Sequence, residues 1–339
     1  MAEGRTALVL GATGGIGGEI AARLLRRGWQ VRALARDPAK AAGGRNGPQP
    51  AWIAGDAMDA AGVTRAAQGV DLIVHAVNPP GYRHWAQLVL PMLESSVQAA
   101  ERSGARIFLP GTVYNYGPDA FPTLTEASPQ HPLTRKGAIR VRMEEHLRQA
   151  ADRGVRSLIL RAGDFFGAHA GNSWFAQGLV KPGKPVAAIS YPGRRGIGHQ
   201  WAYLPDVAET AIRLIEQEDK LAPFERFHMK GHWDPDGTRM ISAIHAAIGR
   251  EVPVKRFPWW LVRLASPVVP LFREMDEMRY LWREGLFLDN RRLAAHLGSE
   301  PHTPFDIAVR TALAGLGCLP AAADLGLDAD RNAVAGAGQ

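Results

Sequence analysis

Near its N-terminus the chain runs from Thr6-Ala7-Leu8-Val9-Leu10 directly into Gly11-Ala12-Thr13-Gly14-Gly15-Ile16-Gly17. The first five residues read as a buried strand. Past the glycines, Ile16, Ile20, Leu24 and Leu25 recur on one side at helical spacing, so Gly14 to Arg27 reads as a helix. A strand that turns through glycines straight into a helix leaves few folds open, and the rest of the first half repeats the alternation. Strands are expected at Gln30–Leu34, Ala51–Ile53, Asp71–His75, Arg106–Leu109 and Val155–Arg161, and helices at Trp85–Arg102 and Arg135–Arg153, with Pro91 expected to kink the former. Parallel strands joined by helical crossovers imply an α/β, Rossmann-type doubly wound sheet.

From about Phe165 glycine, proline and aromatic residues become denser, as in Ser190–Gly198 and Phe257–Leu288. One more strand is expected near Gln200–Leu204, then a helix from Pro205 to Glu218, with proline in its first turn. The expected organisation is a core over residues 1–165. Residues 166–317 complete that core at about 199–218 and form a smaller substrate lobe. A loosely ordered Ala-, Gly- and Asp-rich tail is expected over 318–339.

Composition removes several alternatives. One cysteine excludes an internal disulfide framework and a cysteine-rich zinc site. The 40 Lys+Arg against 33 Asp+Glu leave a net charge of +7, but no basic tract, so the excess points to anionic small ligands and not to nucleic acid. The apolar run at the start is too short for a signal peptide, and Leu261–Phe272 is broken by Arg263, Pro267 and Pro270, so no membrane span and a cytoplasmic location are expected.

The glycine loop, in its strand-to-helix setting, matches what a dinucleotide requires. Gly11 permits a tight turn, Gly14 lets the backbone approach a pyrophosphate at the helix N-terminus, and Gly17 lets helix and strand pack closely. Thr13, Gly15 and Ile16 complete the loop. The end of the second strand, Val31-Arg32-Ala33-Leu34-Ala35-Arg36, carries no acid for ribose hydroxyls. Arg36, with Arg32 and Lys40 as helpers, suits a 2′-phosphate, which favours NADP over NAD; the competing reading is solvated surface arginines. Asp56 is either an adenine contact or an ordinary loop aspartate. Ala76, Val77 and Asn78, followed by Pro79-Pro80, make a stiff loop expected beside a nicotinamide ribose.

These residues together resemble the short-chain dehydrogenase/reductase superfamily in its extended epimerase/dehydratase form. The Gly11–Gly17 loop and Asp56 match that family's cofactor contacts. Gly111-Thr112-Val113-Tyr114-Asn115-Tyr116-Gly117 resembles its segment ending in Tyr-Gly, which puts Thr112 on the active-site Ser/Thr. Asp206-Val207-Ala208 and Asp289-Asn290-Arg291-Arg292, with Leu297-Gly298 and Pro304, resemble its later elements. The likeness spans about residues 4–315. It implies a small-molecule substrate, anionic or sugar-like, and a homodimer through helices near 82–102 and 136–153.

One departure stands out. The family carries Tyr and Lys four residues apart on a helix, preceded by Pro and followed by Glu. Here Pro132 and Glu144 are in place, but Lys136 stands at the Tyr position and Arg140 at the Lys position. Arg140 supplies charge but practically no proton. Lys136 can give a proton as an ammonium, and Arg140 nearby would lower its pKa. Three readings stay open: Lys136 replaces the tyrosine; Tyr114 or Tyr116, or more distantly Tyr82, reaches the substrate; or the protein binds a dinucleotide without turnover. A solvated basic helix face is the plain alternative for Lys136 and Arg140. The expected activity is NAD(P)-dependent oxidoreduction of a carbonyl or alcohol, with nucleotide-sugar epimerase or dehydratase chemistry and a non-catalytic role as alternatives. Asp164 is a candidate for shaping the substrate site, and Asn172, Trp174, Arg194 and Trp201 for lining it. His228 and His232 make a weak metal pair, and Trp259–Leu271 reads first as lobe packing, then as cover for a substrate, partner or membrane surface.

Overall fold

The computed structural model describes residues 4–43, 48–79, 85–171 and 173–319. Pro80, Tyr82, Asn172 and the expected tail from Pro320 lie outside the described residues.

In chain order the first half gives β1 (Thr6–Leu10), α1 (Gly15–Arg26), β2 (Gln30–Ala35), α2 (Pro38–Ala42), β3 (Ala51–Ala54), α3 (Ala60–Ala66), β4 (Leu72–His75) and α4 (Trp85–Ser103). β5 (Arg106–Gly111), β6 (Thr123–Leu124), α5 (Arg135–Ala151), β7 (Ser157–Arg161) and β8 (Asp164–Phe166) follow. α4 runs through Pro91 as one assigned helix. The second half supplies β9 (Ile189–Tyr191), β10 (His199–Tyr203), α6 (Leu204–Glu216), β11 (Phe224–His228), β12 (His232–Asp234) and α7 (Arg239–Ile248). β13 (Val254–Arg256), α8 (Trp259–Ala265), α9 (Pro270–Glu277), β14 (Phe287–Leu288), α10 (Arg291–Leu297) and α11 (Phe305–Gly315) complete it.

Seven parallel strands form the main sheet in the order β11-β7-β5-β4-β1-β2-β3. β1, β4, β5 and β7 are buried along their whole length, as sheet strands covered by helices on both faces must be. One apolar layer, with Ile20, Leu24, Val207 and Ala211, seats α1 and α6 against the sheet. The opposite layer, with Val63, Leu93, Val97 and Leu147, seats α3, α4 and α5. Helix α6 packs on the main sheet, while the strand before it does not join that sheet. β10 pairs with β8 and β12 in a separate three-stranded sheet, and the seventh strand of the main sheet is β11. The smaller lobe packs around Phe166, Phe175, Trp201, Tyr191 and Trp282, with α7 and α11 against it. No helix among the described residues is long and apolar enough to cross a membrane.

Sheet order dictates where a ligand can sit. β1 lies between β4 and β2, so successive crossovers leave in opposite directions from β1, and a crevice opens above the carboxyl ends there.

Candidate functional site

That crevice is present as a cleft of about 1210 Å³. Its floor is the glycine loop. Gly11, Thr13, Gly14, Gly15 and Ile16 all line it. Gly11 has φ +89°, and a Cβ there would lie 2.5 Å from the carbonyl oxygen of Ala76, so only glycine lets the β1 turn pass under the β4 loop. Gly17 does not line the cleft. It lies behind the loop, where a Cβ would overlap the Gly11 carbonyl, so its absence of a side chain lets α1 approach β1. Gly14 caps α1 in extended geometry (φ −83°, ψ 173°), and its N–H donates to Gly11 O at 2.9 Å. The first turn of α1 therefore faces a cavity with little side-chain bulk in the way, a shape and polarity suited to a pyrophosphate.

One end of the cleft is bounded by Arg36, Asp37 and Lys40 past β2 and by Gly55 and Asp56 past β3. Arg36 is exposed. Arg32 is directed elsewhere: its guanidinium donates to the carbonyls of Ala66 (3.1 Å) and Gln68 (2.7 Å) at the end of α3, so it leaves the cofactor set. Asp37 caps α2, accepting from the Lys40 N–H at 3.0 Å. Asp56 Oδ1 accepts from the Met58 N–H at 2.9 Å, a turn role that still leaves the residue on the cleft wall.

Ala76, Val77, Asn78 and Pro79 form the wall after β4. Asn78 Oδ1 accepts from the Trp85 indole at 2.6 Å, which ties this loop to the start of α4. Beneath it, His75 is buried and its Nδ1 lies 2.8 Å from Ser96 Oγ. Burial, reinforced by the Arg140 charge, pushes its pKa down to about 3, so it stays neutral.

The far end gathers Thr112, Tyr114, Lys136 and Arg140. Thr134 caps α5 by accepting from the Gly137 N–H at 3.0 Å, which sets the helix start just before Lys136. The Lys136 side chain is 7% exposed, and its Nζ lies 2.9 Å from Glu274 Oε2 on α9. Burial lowers the Lys136 pKa below the ordinary lysine value; the Glu274 hydrogen bond opposes this and the Arg140 charge adds to it. Arg140 lies over the Trp85 ring, 5.4 Å from its centroid. Thr112 Oγ1 accepts from the Tyr114 N–H at 3.3 Å. Lys136 and Arg140 are therefore not a solvated helix face: Lys136 is buried, and both point into the cleft.

Tyr116 is not brought to this group. It is fully buried in a small apolar cluster, and its hydroxyl meets the Arg161 guanidinium and, at 2.8 Å, His228 Nε2. Burial, with Glu144 nearby, raises its pKa to about 12, a poor value for an acid–base group. Arg161, itself fully buried, pairs with Glu144, whose carboxylate also accepts from Asn115 Nδ2 at 2.9 Å. Burial disfavours the Arg161 charge, but Glu144 outweighs it and holds the pKa above its ordinary value. This network fixes α5 to β7 behind the cleft.

The remaining candidates divide. Asp164 and Trp174 line the cleft, and Asp164 Oδ2 lies 2.9 Å from His199 Nε2. Arg194 is exposed outside the lining and Trp201 is fully buried in the lobe. His228 is engaged by Tyr116, and His232 sits by Asp206 at 3.8 Å; no metal-ligand cluster occurs among the described residues. Asp206 accepts from Thr303, and Arg292 pairs with Glu225, so these late elements brace the fold. Glu274, Met275 and Met278 wall the cleft from the lobe, and no motif or spacing marks them in the sequence.

Residues 11–174 match the family model described as NAD(P)H-binding. A curated relative, dTDP-6-deoxy-L-talose 4-dehydrogenase (NAD(P)(+)) from Kitasatospora kifunensis, is 32% identical over 172 residues, which are 47% of this chain and 52% of the relative. The match thus spans about half the length of that relative. Among solved structures, MoeE5 in complex with UDP-glucose and NAD superposes with a TM-score of 0.69 at 18% identity, covering 92% of this chain and 98% of that one. UDP-glucose 4-epimerase from Bifidobacterium longum, in complex with NAD+ and UDP, gives 0.69 at 17% identity over 92% and 97%. The dTDP-glucose 4,6-dehydratase DesIV from Streptomyces venezuelae gives 0.67 at 18% over 91% and 96%. Residues 11–174 thus match an NAD(P)H-binding family pattern that begins at the glycine loop, and over nine-tenths of its length the chain shares the fold of these solved structures.

Proposed function

We propose that the protein is an NAD(P)-dependent enzyme of oxidoreductase or epimerase type, acting on a secondary alcohol or carbonyl of a small sugar-like molecule. The observation that carries this reading is the placement of Lys136, buried in the wall of the same cleft that begins at the glycine loop. A dinucleotide fits there by the Gly11–Gly15 cradle, with Arg36 and Lys40 at the adenosine end and Ala76 to Asn78 near the nicotinamide ribose. Arg36 favours NADP, since a guanidinium suits a phosphate better than a ribose hydroxyl.

Bound nicotinamide would supply hydride chemistry. The chain supplies the proton. Lys136 Nζ holds one as an ammonium against Glu274 and can pass it to a developing alkoxide; neutral, it can take one from an alcohol. Thr112 and Arg140 line the same cleft, which supports a hydrogen bond from Thr112 to that oxygen and a fixed positive charge from Arg140. Nucleotide-sugar chemistry is favoured within this reading over open-ended carbonyl reduction. The structural neighbours that share the fold over nine-tenths of the chain include proteins held with UDP-glucose or UDP and NAD. A cytoplasmic homodimer through α4 and α5 belongs to the same proposal.

The test uses the full chain with UDP-glucose and dTDP-glucose as probes and either nicotinamide dinucleotide, with sugar products followed by proton NMR. Conversion at a sugar carbon, lost in Lys136→Met with cofactor binding intact, is expected. Cofactor binding without any conversion of sugars or simple carbonyls would instead favour a non-catalytic role, for which the Lys136–Glu274 ion pair across the cleft is the supporting feature.

A further inference from the structure

The segment Trp259–Leu271 divides into two faces. Val262 is buried, and Trp259 is half-buried, its indole donating to the Pro192 carbonyl at 2.8 Å and its ring packed by Trp174 and Phe257. Lobe packing therefore accounts for one side of α8. The other side is not accounted for. Trp260 is 72% exposed, Leu264 72% and Val268 81%, with Leu261 at 42%. Trp260 and Leu264 are four residues apart and share one face of α8, and Val268 is exposed in the turn that follows. Isolated exposed apolar residues are ordinary, but a tryptophan and three aliphatic side chains on one short element are a patch.

Positive charge lies next to it. Arg263 is exposed between the apolar positions. Arg279 lies over the Trp259 ring at 5.2 Å and is close enough to Arg283, Arg194 and Arg263 for their charges to act on it. Asp276 is the acid that partly offsets this group. Lys255 and Arg256, on exposed β13 just before α8, extend the same chain segment with two more cations. An apolar tip containing tryptophan, set among arginines, is complementary to one surface in particular: apolar chains beneath a layer of anionic headgroups.

We propose that α8 and the turn following it dock the protein peripherally on an anionic bilayer surface. Trp260, Leu261, Leu264 and Val268 enter the headgroup–acyl boundary, and Arg194, Arg263, Arg279 and Arg283 meet the lipid phosphates. Guanidinium groups suit phosphates because they bond them in two directions. α8 packs on α9, whose Glu274 and Met275 wall the cleft, so the docked face is one helix away from the site. The proposal requires no turnover and stands independently of the chemistry assigned to the cleft.

The experiment is co-sedimentation of the full chain with vesicles of phosphatidylcholine alone and of phosphatidylcholine with about one-third phosphatidylglycerol, in low and high salt, with a folding check by circular dichroism on every variant. Wild type is expected to partition onto the anionic vesicles, weakly onto the neutral ones, and less at high salt. The triple variant W260S/L264S/V268S should lose about tenfold or more in partitioning. R263E/R283E should lose the preference for anionic vesicles, at about fivefold per arginine. Ile307→Ser, at an exposed site on α11, should bind as wild type. Equal partitioning onto both vesicle types would overturn the proposal, as would unchanged binding by the triple variant. So would a triple variant whose only effect, by sedimentation velocity, is to turn a dimer into a monomer.

Discussion

Replacing Gly14 by alanine separates a glycine kept for folding from one kept for a ligand. Gly14 has φ −83° and ψ 173°, extended backbone that alanine adopts freely. Among the described residues, an added Cβ meets one atom within 4 Å beyond its chain neighbours, Gly11 O at 3.2 Å. That contact is tight by a few tenths of an ångström. Against it, alanine loses less chain entropy on folding, about 0.4–1 kcal/mol in its favour. The two effects nearly cancel, so stability should stay within about 1 kcal/mol of wild type, or a few degrees in Tm. The cleft should respond differently. The methyl group adds bulk where the backbone must come close to a pyrophosphate at the α1 N-terminus. Losing one charge-assisted hydrogen bond costs about 1.5–3 kcal/mol, so the Kd for NADPH should rise roughly tenfold to a hundredfold. Fluorescence titration with NADPH and thermal unfolding of the same sample measure both quantities. A variant that binds NADPH as wild type does, at unchanged stability, would refute the cofactor role of this loop. A variant that loses several kcal/mol of stability would show that the glycine serves packing.

Other substitutions probe the remaining parts. Arg36→Ala should weaken NADPH by roughly tenfold or more and leave NADH within about twofold, by the same titration; equal loss for both would remove the 2′-phosphate assignment. Lys136→Met should abolish turnover while leaving cofactor affinity near wild type, measured by steady-state rates beside titrations; retained turnover would return the proton-donor role to Tyr114. Glu144→Gln leaves fully buried Arg161 without its carboxylate, and should cost about 3–5 kcal/mol of unfolding free energy in urea; a change under about 1 kcal/mol would mean that the Tyr116 contact suffices.

The sheet was legible where strand interiors are continuously apolar, as in β1, in Leu72-Ile73-Val74 of β4 and in Leu158-Ile159-Leu160 of β7. β11 escaped notice because Phe224-Glu225-Arg226-Phe227-His228 carries charges. It is one of the two edge strands, with β7 as its sheet neighbour, and its charges are paired by other elements: Glu225 with Arg292, and Arg226 with Glu144. Edge strands tolerate charge in a way that central strands do not. Tyr116 was misplaced for a different reason. Its segment borders the cleft, but side-chain direction depends on the turn after β5, which sends Tyr114 to the cleft lining and Tyr116 into the core. Glu274 was invisible because it meets Lys136 only through the folding of the lobe over the cleft. Its own surroundings, Arg273-Glu274-Met275-Asp276, look like an ordinary amphipathic helix. Arg32 and Arg36 are alike in sequence, and only the position of the α3 carbonyls separates them.

The most direct test of the central claim is a crystal structure of the full chain grown with NADP. The account predicts the pyrophosphate at the N-terminus of α1 over Gly14, the 2′-phosphate beside Arg36, and the nicotinamide C4 facing Thr112 and Lys136. A dinucleotide bound elsewhere, or one whose nicotinamide lies away from Lys136 while the Glu274 pair stays closed, would contradict it.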